Sequence, residues 1–137
     1  MTKDTLDKTF SEFIRIRDSN KDGLISCISC GKIVQWKESD CGHYINRKHN
    51  STRYDEKNCN AQCRSCNRFD EGNIQGYRKG LIQKYGEYAV KILELKKFNY
   101  CKMGQFEIDI LGKEYKQKLK ALKLQRGLVK TKSTNKK

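Results

Sequence analysis

Cys27-Ile28-Ser29-Cys30 and Cys63-Arg64-Ser65-Cys66-Asn67 decide how the rest of the chain is read. Two Cys-x2-Cys knuckles supply four thiolates, the number and type of ligands that close a tetrahedral Zn²⁺ site. Thirty-two residues separate Cys30 from Cys63. The spacing is longer than a compact zinc ribbon, so one zinc is expected to clamp the two ends of an inserted unit. Four protein thiolates leave no position for water, which makes that zinc structural rather than catalytic. The remaining cysteines bring the total to seven, an odd number. The N-terminus MTKDTLDKTFSEF has no apolar leader, so an intracellular, reducing location with free or metal-bound thiols is expected.

The unit between the knuckles contains the groups a hydrolase needs on a phosphodiester: a base for water, a site for a cation and a rigid frame. His43 is the candidate base. Asn58 is the candidate for orienting its imidazole. Asn67 directly follows the last zinc cysteine, and its amide oxygen suits a hard cation such as Mg²⁺. Arg47, Arg53, Arg64 and Arg68 flank these positions, and guanidinium forks match phosphate geometry.

Outward from this unit the periodicities change. Leu6, Phe10, Phe13 and Ile14 predict an amphipathic helix over about 3–17. Asp18 to Gly23 is a turn. Ile33 to Trp36 and His43 to Ile45 are expected to pair as a hairpin, with a helix from Cys63 towards Glu71. Two longer helices are expected at 75–97 and 104–124, both with apolar stripes that are packing faces or an interface for a homodimer. The organisation is thus an N-terminal helix and turn (1–22), a zinc-bound core (23–73), a helical region (74–125) and a basic, disordered tail (126–137). The fold class is α+β. Thirty Lys and Arg against sixteen Asp and Glu leave +14, which predicts a polyanionic partner, DNA above all. No apolar run approaches the ~20 residues of a membrane span.

Taken together, the order Cys-x2-Cys, His, Asn, Cys-x2-Cys-Asn resembles that of the zinc-bound HNH, or ββα-metal, nucleases. The phage NinG/Rap recombination family is closer still. FSEFIRIR (10–17), CISCGK (27–32), Gly42-His43-Tyr44, TRYDE (52–56) with Asn58, QCRSCNR (62–68), Gly72-Asn73 and Gly80 to Gly86 carry the similarity. It implies a zinc-stapled ββα-metal nuclease unit flanked by helices, cutting branched DNA such as D-loops or Holliday junctions with Mg²⁺ or Mn²⁺. His43 then resembles the general base, Asn58 its orienting residue and Asn67 a catalytic-metal ligand. Many such nucleases have Asp or His just before the base; here that residue is Gly42. Asp40, Asp55 and Glu56 are the candidates for the second ligand, Asp40 being favoured. Asn60 stands where many NinG-like sequences have His.

Three other patterns compete with this reading. Asp18 to Ser29 mimics an EF-hand loop but has Ser29 where a bidentate Glu is required. Asn50-Ser51-Thr52 is a glycosylation sequon only by pattern. Cys41, His43, His49 and Cys59 could form a second zinc site, which would consume the base and leave a non-catalytic, zinc-bound DNA-binding protein.

Overall fold

The computed structural model describes residues 1–129, so the tail expected at 126–137 lies outside the described residues from 130 onward. The chain runs α1 (Lys3–Asp18), β1 (Leu24–Ser26), β2 (Ile33–Gln35), a 3-10 turn (Trp36–Glu38), β3 (Ser39–His43), α2 (Asn50–Arg53), β4 (Cys59–Cys63), a π-helical turn (Ser65–Phe69), α3 (Ile74–Tyr85), α4 (Glu87–Lys96) and α5 (Gln105–Gln125). It is a mixed α+β fold with two small antiparallel sheets, β1–β2 and β3–β4.

Helix α1 starts where the Thr2 hydroxyl accepts from the Thr5 N–H at 3.1 Å, a side-chain N-cap. Its stripe of Leu6, Phe10, Phe13 and Ile14 is buried as the spacing predicts, packed with Ile108 and Tyr115 of α5 and with Tyr54 and Cys59. Phe10 meets the Tyr115 ring edge-on at 4.8 Å and the Tyr54 ring at 5.4 Å. A second core joins Tyr44 and Ile45 to Tyr77 and Leu81 of α3 and to Val90 and Leu93 of α4. Strands β3 and β4 lie between the two cores, so β4 is buried at all five positions.

Three sequence expectations are corrected. Ile33–Gln35 pairs with Leu24–Ser26, not with the residues around His43, because the first zinc knuckle is itself the hairpin turn. Gly31 donates to the Cys27 carbonyl at 2.8 Å with φ +80°, a conformation glycine adopts without strain. His43 instead pairs with Cys59 across β3–β4. The helix expected at 75–97 is two helices, broken at Gly86 with φ +92°. Finally, Arg126 is part of the packed structure: its guanidinium donates to the carbonyls of Ile16 (2.9 Å) and Ser19 (2.8 Å), satisfying the end of α1.

Candidate functional site

The four knuckle cysteines come together. Their sulfur atoms all lie within 4.8 Å of one another, a donor set that could hold a zinc ion. Three of the four are buried, and Cys30 is exposed. Helix α3 lies flat on the first knuckle, because a Cβ at Gly76 or Gly80 would run into the backbone carbonyls of Ser29 and Ile28. Asn73, which caps α3, donates to the Cys66 sulfur at 3.3 Å. The cradle is thus supported by outer contacts of the kind that orient metal ligands.

Two residues past Cys66's neighbour Ser65, Asn67 projects from the π-helical turn and donates through Nδ2 to Asp40 Oδ2 at 2.9 Å. Arg68 grips the same carboxylate in two-point fashion, with both distances 2.9 Å. Burial alone would raise the Asp40 pKa. The Arg68 and Asn67 hydrogen bonds, with the charges of Arg68 and Arg64, hold it below the usual carboxylate value instead. Of the three acids considered, Asp40 alone is beside Asn67: Asp55 pairs with Lys96 and Glu56 with Lys118.

Gly42 has a packing reason. A Cβ there would strike the Gln62 amide, which is buried and anchored to Ser29 Oγ (2.8 Å) and to the Gly72 carbonyl (2.6 Å). The position before His43 therefore has no room for a ligating side chain. Asn60 is fully buried, bonded to the Tyr77 hydroxyl and to Lys84, and on the strand face opposite Cys59 and Ala61. It therefore lies away from the His43 side of the hairpin.

His43 ends β3, half-buried. Its Nε2 lies 2.9 Å from the Arg53 carbonyl, an acceptor only, so Nε2 carries the proton and Nδ1 is left as the ring's acceptor. Burial lowers the imidazole pKa, and the nearby guanidinium charges add to this. The Arg53 carbonyl and Asp7 oppose them without winning. The ring is thus kept neutral.

Asn58 does not touch that ring. It is completely buried and ties the 45–52 loop together, donating to the carbonyls of Ile45 (3.1 Å) and Thr52 (3.0 Å) and accepting from Ile45 N (2.8 Å). Because Thr52 adjoins Arg53, any orienting effect of Asn58 on His43 runs through the backbone. Sequence reasoning missed Asp7 altogether. Its carboxylate on α1 accepts from Arg53, from the Tyr54 hydroxyl (2.6 Å) and from Arg47 (3.1 Å). Arg53, with its side chain only 12% exposed, is therefore committed to internal contacts, whereas Arg47, Arg64 and Arg68 remain about half exposed or more. Asp7, Asp40, His43, Arg47, Asn67 and Arg68 line one cavity of about 270 Å³.

The sequence profile described as "Bacteriophage Lambda NinG protein" matches residues 2–125. The chain belongs to the NinG family. It is 37% identical over 114 residues to "Protein ninG" of Escherichia phage lambda, covering 81% of this chain and 52% of the relative. The same identity and length hold for "Protein ninG" of Escherichia phage 933W, at 81% and 53%, and of Salmonella phage P22, at 81% and 52%. This NinG-family chain thus spans about half the length of the curated relatives it matches. No solved structure matches it. Among its described residues no helix is long and apolar enough to cross a membrane.

Proposed function

We propose that this NinG-family chain is a metal-dependent endonuclease of the HNH type that cuts branched DNA, such as D-loops and Holliday junctions, in phage recombination. The observation that carries the proposal is the meeting of Asp40, Asn67 and His43 on one cavity beside the thiol cradle. Strands β3 and β4, with the helical turn at Ser65–Phe69, support reading this region as a ββα frame.

Asp40 and Asn67 offer hard oxygen donors, which fit Mg²⁺ or Mn²⁺. A cation bound there would supply positive charge to the scissile phosphate and the leaving 3′-oxygen. For Asp40 to serve, Arg68 must release it. Arg68 is 53% exposed and can turn to a phosphate instead. His43 Nδ1 takes a proton from water, the water oxygen bonds to phosphorus, the bond from phosphorus to the 3′-oxygen breaks, and the departing oxygen takes a proton from a solvent water. The products are a 5′-phosphate and a 3′-hydroxyl. Arg47, Arg64 and Arg68 position the backbone, and the charge of +14 gives affinity with little sequence choice. Cutting both strands of a junction calls for two copies of the chain acting together, and the work would take place in the host cytoplasm.

One observation favours the alternative of a zinc-bound DNA-binding protein without catalysis. Cys41, His43 and Cys59 also lie within 4.8 Å of one another. His49 is not among them, so this set offers three ligands, one short of a closed zinc site. Labelled four-way junction, D-loop and linear duplex, each with Mg²⁺ or Mn²⁺, separate the readings. The nuclease reading expects the branched forms to be cut first, by protein holding one zinc per chain. Binding without cutting, with two zinc ions per chain, would replace it with the alternative.

A further inference from the structure

A second concavity of about 1080 Å³ opens from the same residues. It shares Cys41, His43, Arg47 and Asn67 with the smaller cavity and extends to the end of α4. At that end Phe98 is 76% exposed, and Leu95 beside it is 66% exposed. The volume is at or above the ~300–1000 Å³ of clefts built for small ligands.

Cations outnumber acids along this cleft by four to two. Arg47, Lys48, Lys91 and Lys97 line it. Of its acids, Glu94 is neutralised by Arg78 at 2.8 Å and bonded to the Tyr44 hydroxyl. Glu71 also lines the cleft. Lys48 and Lys97 have no ion-pair partner among the described residues, and Lys97 Nζ lies 5.0 Å from the centre of the Phe98 ring. An exposed aromatic ring with one unpaired cation against it and a second in the same cleft is a combination that suits a single strand: the ring stacks a base and the cations follow the phosphates. A duplex cannot use the ring, because its bases are already stacked.

We infer that this cleft binds an unpaired single-stranded DNA segment, with Phe98 as the stacking platform, and leads it to the cavity of His43 and Asn67. The inference rests on the nuclease reading only for what happens at that end. It names the feature of a branched substrate that is recognised: the strand that leaves the duplex at the branch. Phe98 is surface-exposed, so its replacement leaves the fold intact.

The test uses the full, zinc-loaded chain without added Mg²⁺ or Mn²⁺. A fluorescein-labelled oligo(dT) and a blunt duplex of equal length are titrated by anisotropy against wild type and Phe98→Ala. Phe98→Ala should bind oligo(dT) at least about fivefold more weakly, the lower end of what losing a stacked base costs, with duplex affinity unchanged. In Phe98→Trp, oligo(dT) should quench the added tryptophan; wild type, whose one tryptophan is Trp36, gives the background. Equal oligo(dT) binding by wild type and Phe98→Ala, equal losses on both DNAs, or no quench in Phe98→Trp would overturn the inference. A wild type that cuts no branched DNA but binds oligo(dT) through Phe98 would remove the nuclease reading and leave this one standing.

Discussion

Replacing Asp7 by Ala removes the acceptor that joins α1 to the loop behind His43. Three donors converge on this carboxylate, from Arg53, Tyr54 and Arg47. The Asp7 side chain is 20% exposed and that of Arg53 12%, so the pair is mostly but not wholly out of water. Breaking a fully buried ion pair by deleting one partner costs about 3–5 kcal/mol. Partial exposure lowers this, and the stranded Tyr54 hydroxyl adds about 1 kcal/mol or more. A loss of roughly 3 kcal/mol follows, a fall in Tm of roughly 10 °C for a chain of this size. Asp7→Asn keeps the acceptor oxygen and should lose about half as much. The pH dependence has a definite sign. Burial alone would raise the Asp7 pKa, but its hydrogen bonds to Arg53 and Tyr54 hold it below its ordinary value. Its stabilisation is therefore complete above the unfolded value, near pH 4, and is lost as pH falls through the lower folded value. Thermal unfolding followed by circular dichroism from pH 7 to pH 3 is the assay. The gap between wild type and Asp7→Asn should be widest at neutral pH and close below about pH 4. A Tm change under about 2 °C for Asp7→Ala, or a gap that does not depend on pH, would refute the reasoning.

Other parts of the account make equally direct predictions. Gly80→Ala drives a methyl group into the Ile28 carbonyl and should destabilise by about 1–3 kcal/mol and weaken zinc retention, read by denaturation and by zinc release to a chromophoric chelator. Cys63→Ser should reduce bound zinc below one ion per chain and abolish a single cooperative unfolding transition, because such sites contribute folding energy directly. Asp40→Asn should slow cleavage by about a hundredfold or more while zinc content is kept, measured in single-turnover assays. Arg53→Ala should lower Tm rather than DNA affinity, whereas Arg68→Ala should lower affinity and reduce the slope of log K against log salt by about one unit.

What could be read in the sequence was what depends on local spacing. The Cys-x2-Cys pairs announced the thiol cradle, and the Leu6, Phe10, Phe13, Ile14 stripe announced α1 and its buried face. What could not be read depended on partners far along the chain. Ser39–His43 carries no run of branched or aromatic residues, and it becomes a strand because both cores close over it and β4. Its counterpart Cys59–Cys63 buries Asn60 and Gln62 only because Tyr77, Lys84, Ser29 and Gly72 satisfy them. Arg53 looked like a phosphate grip, and Asp7, forty-six positions earlier, takes it instead. At Gly42 the Gln62 amide fills the space a side chain would need, a contact that spacing along the chain does not reveal.

The central claim is tested most directly by single-turnover cleavage of a labelled four-way junction in Mn²⁺, comparing wild type with His43→Ala at matched zinc content. The account predicts cutting by wild type and a loss of at least about a hundredfold in His43→Ala, with junction affinity retained. Equal cutting rates in the two proteins would contradict the assignment of His43 as the base, and no cutting by wild type would contradict the nuclease itself.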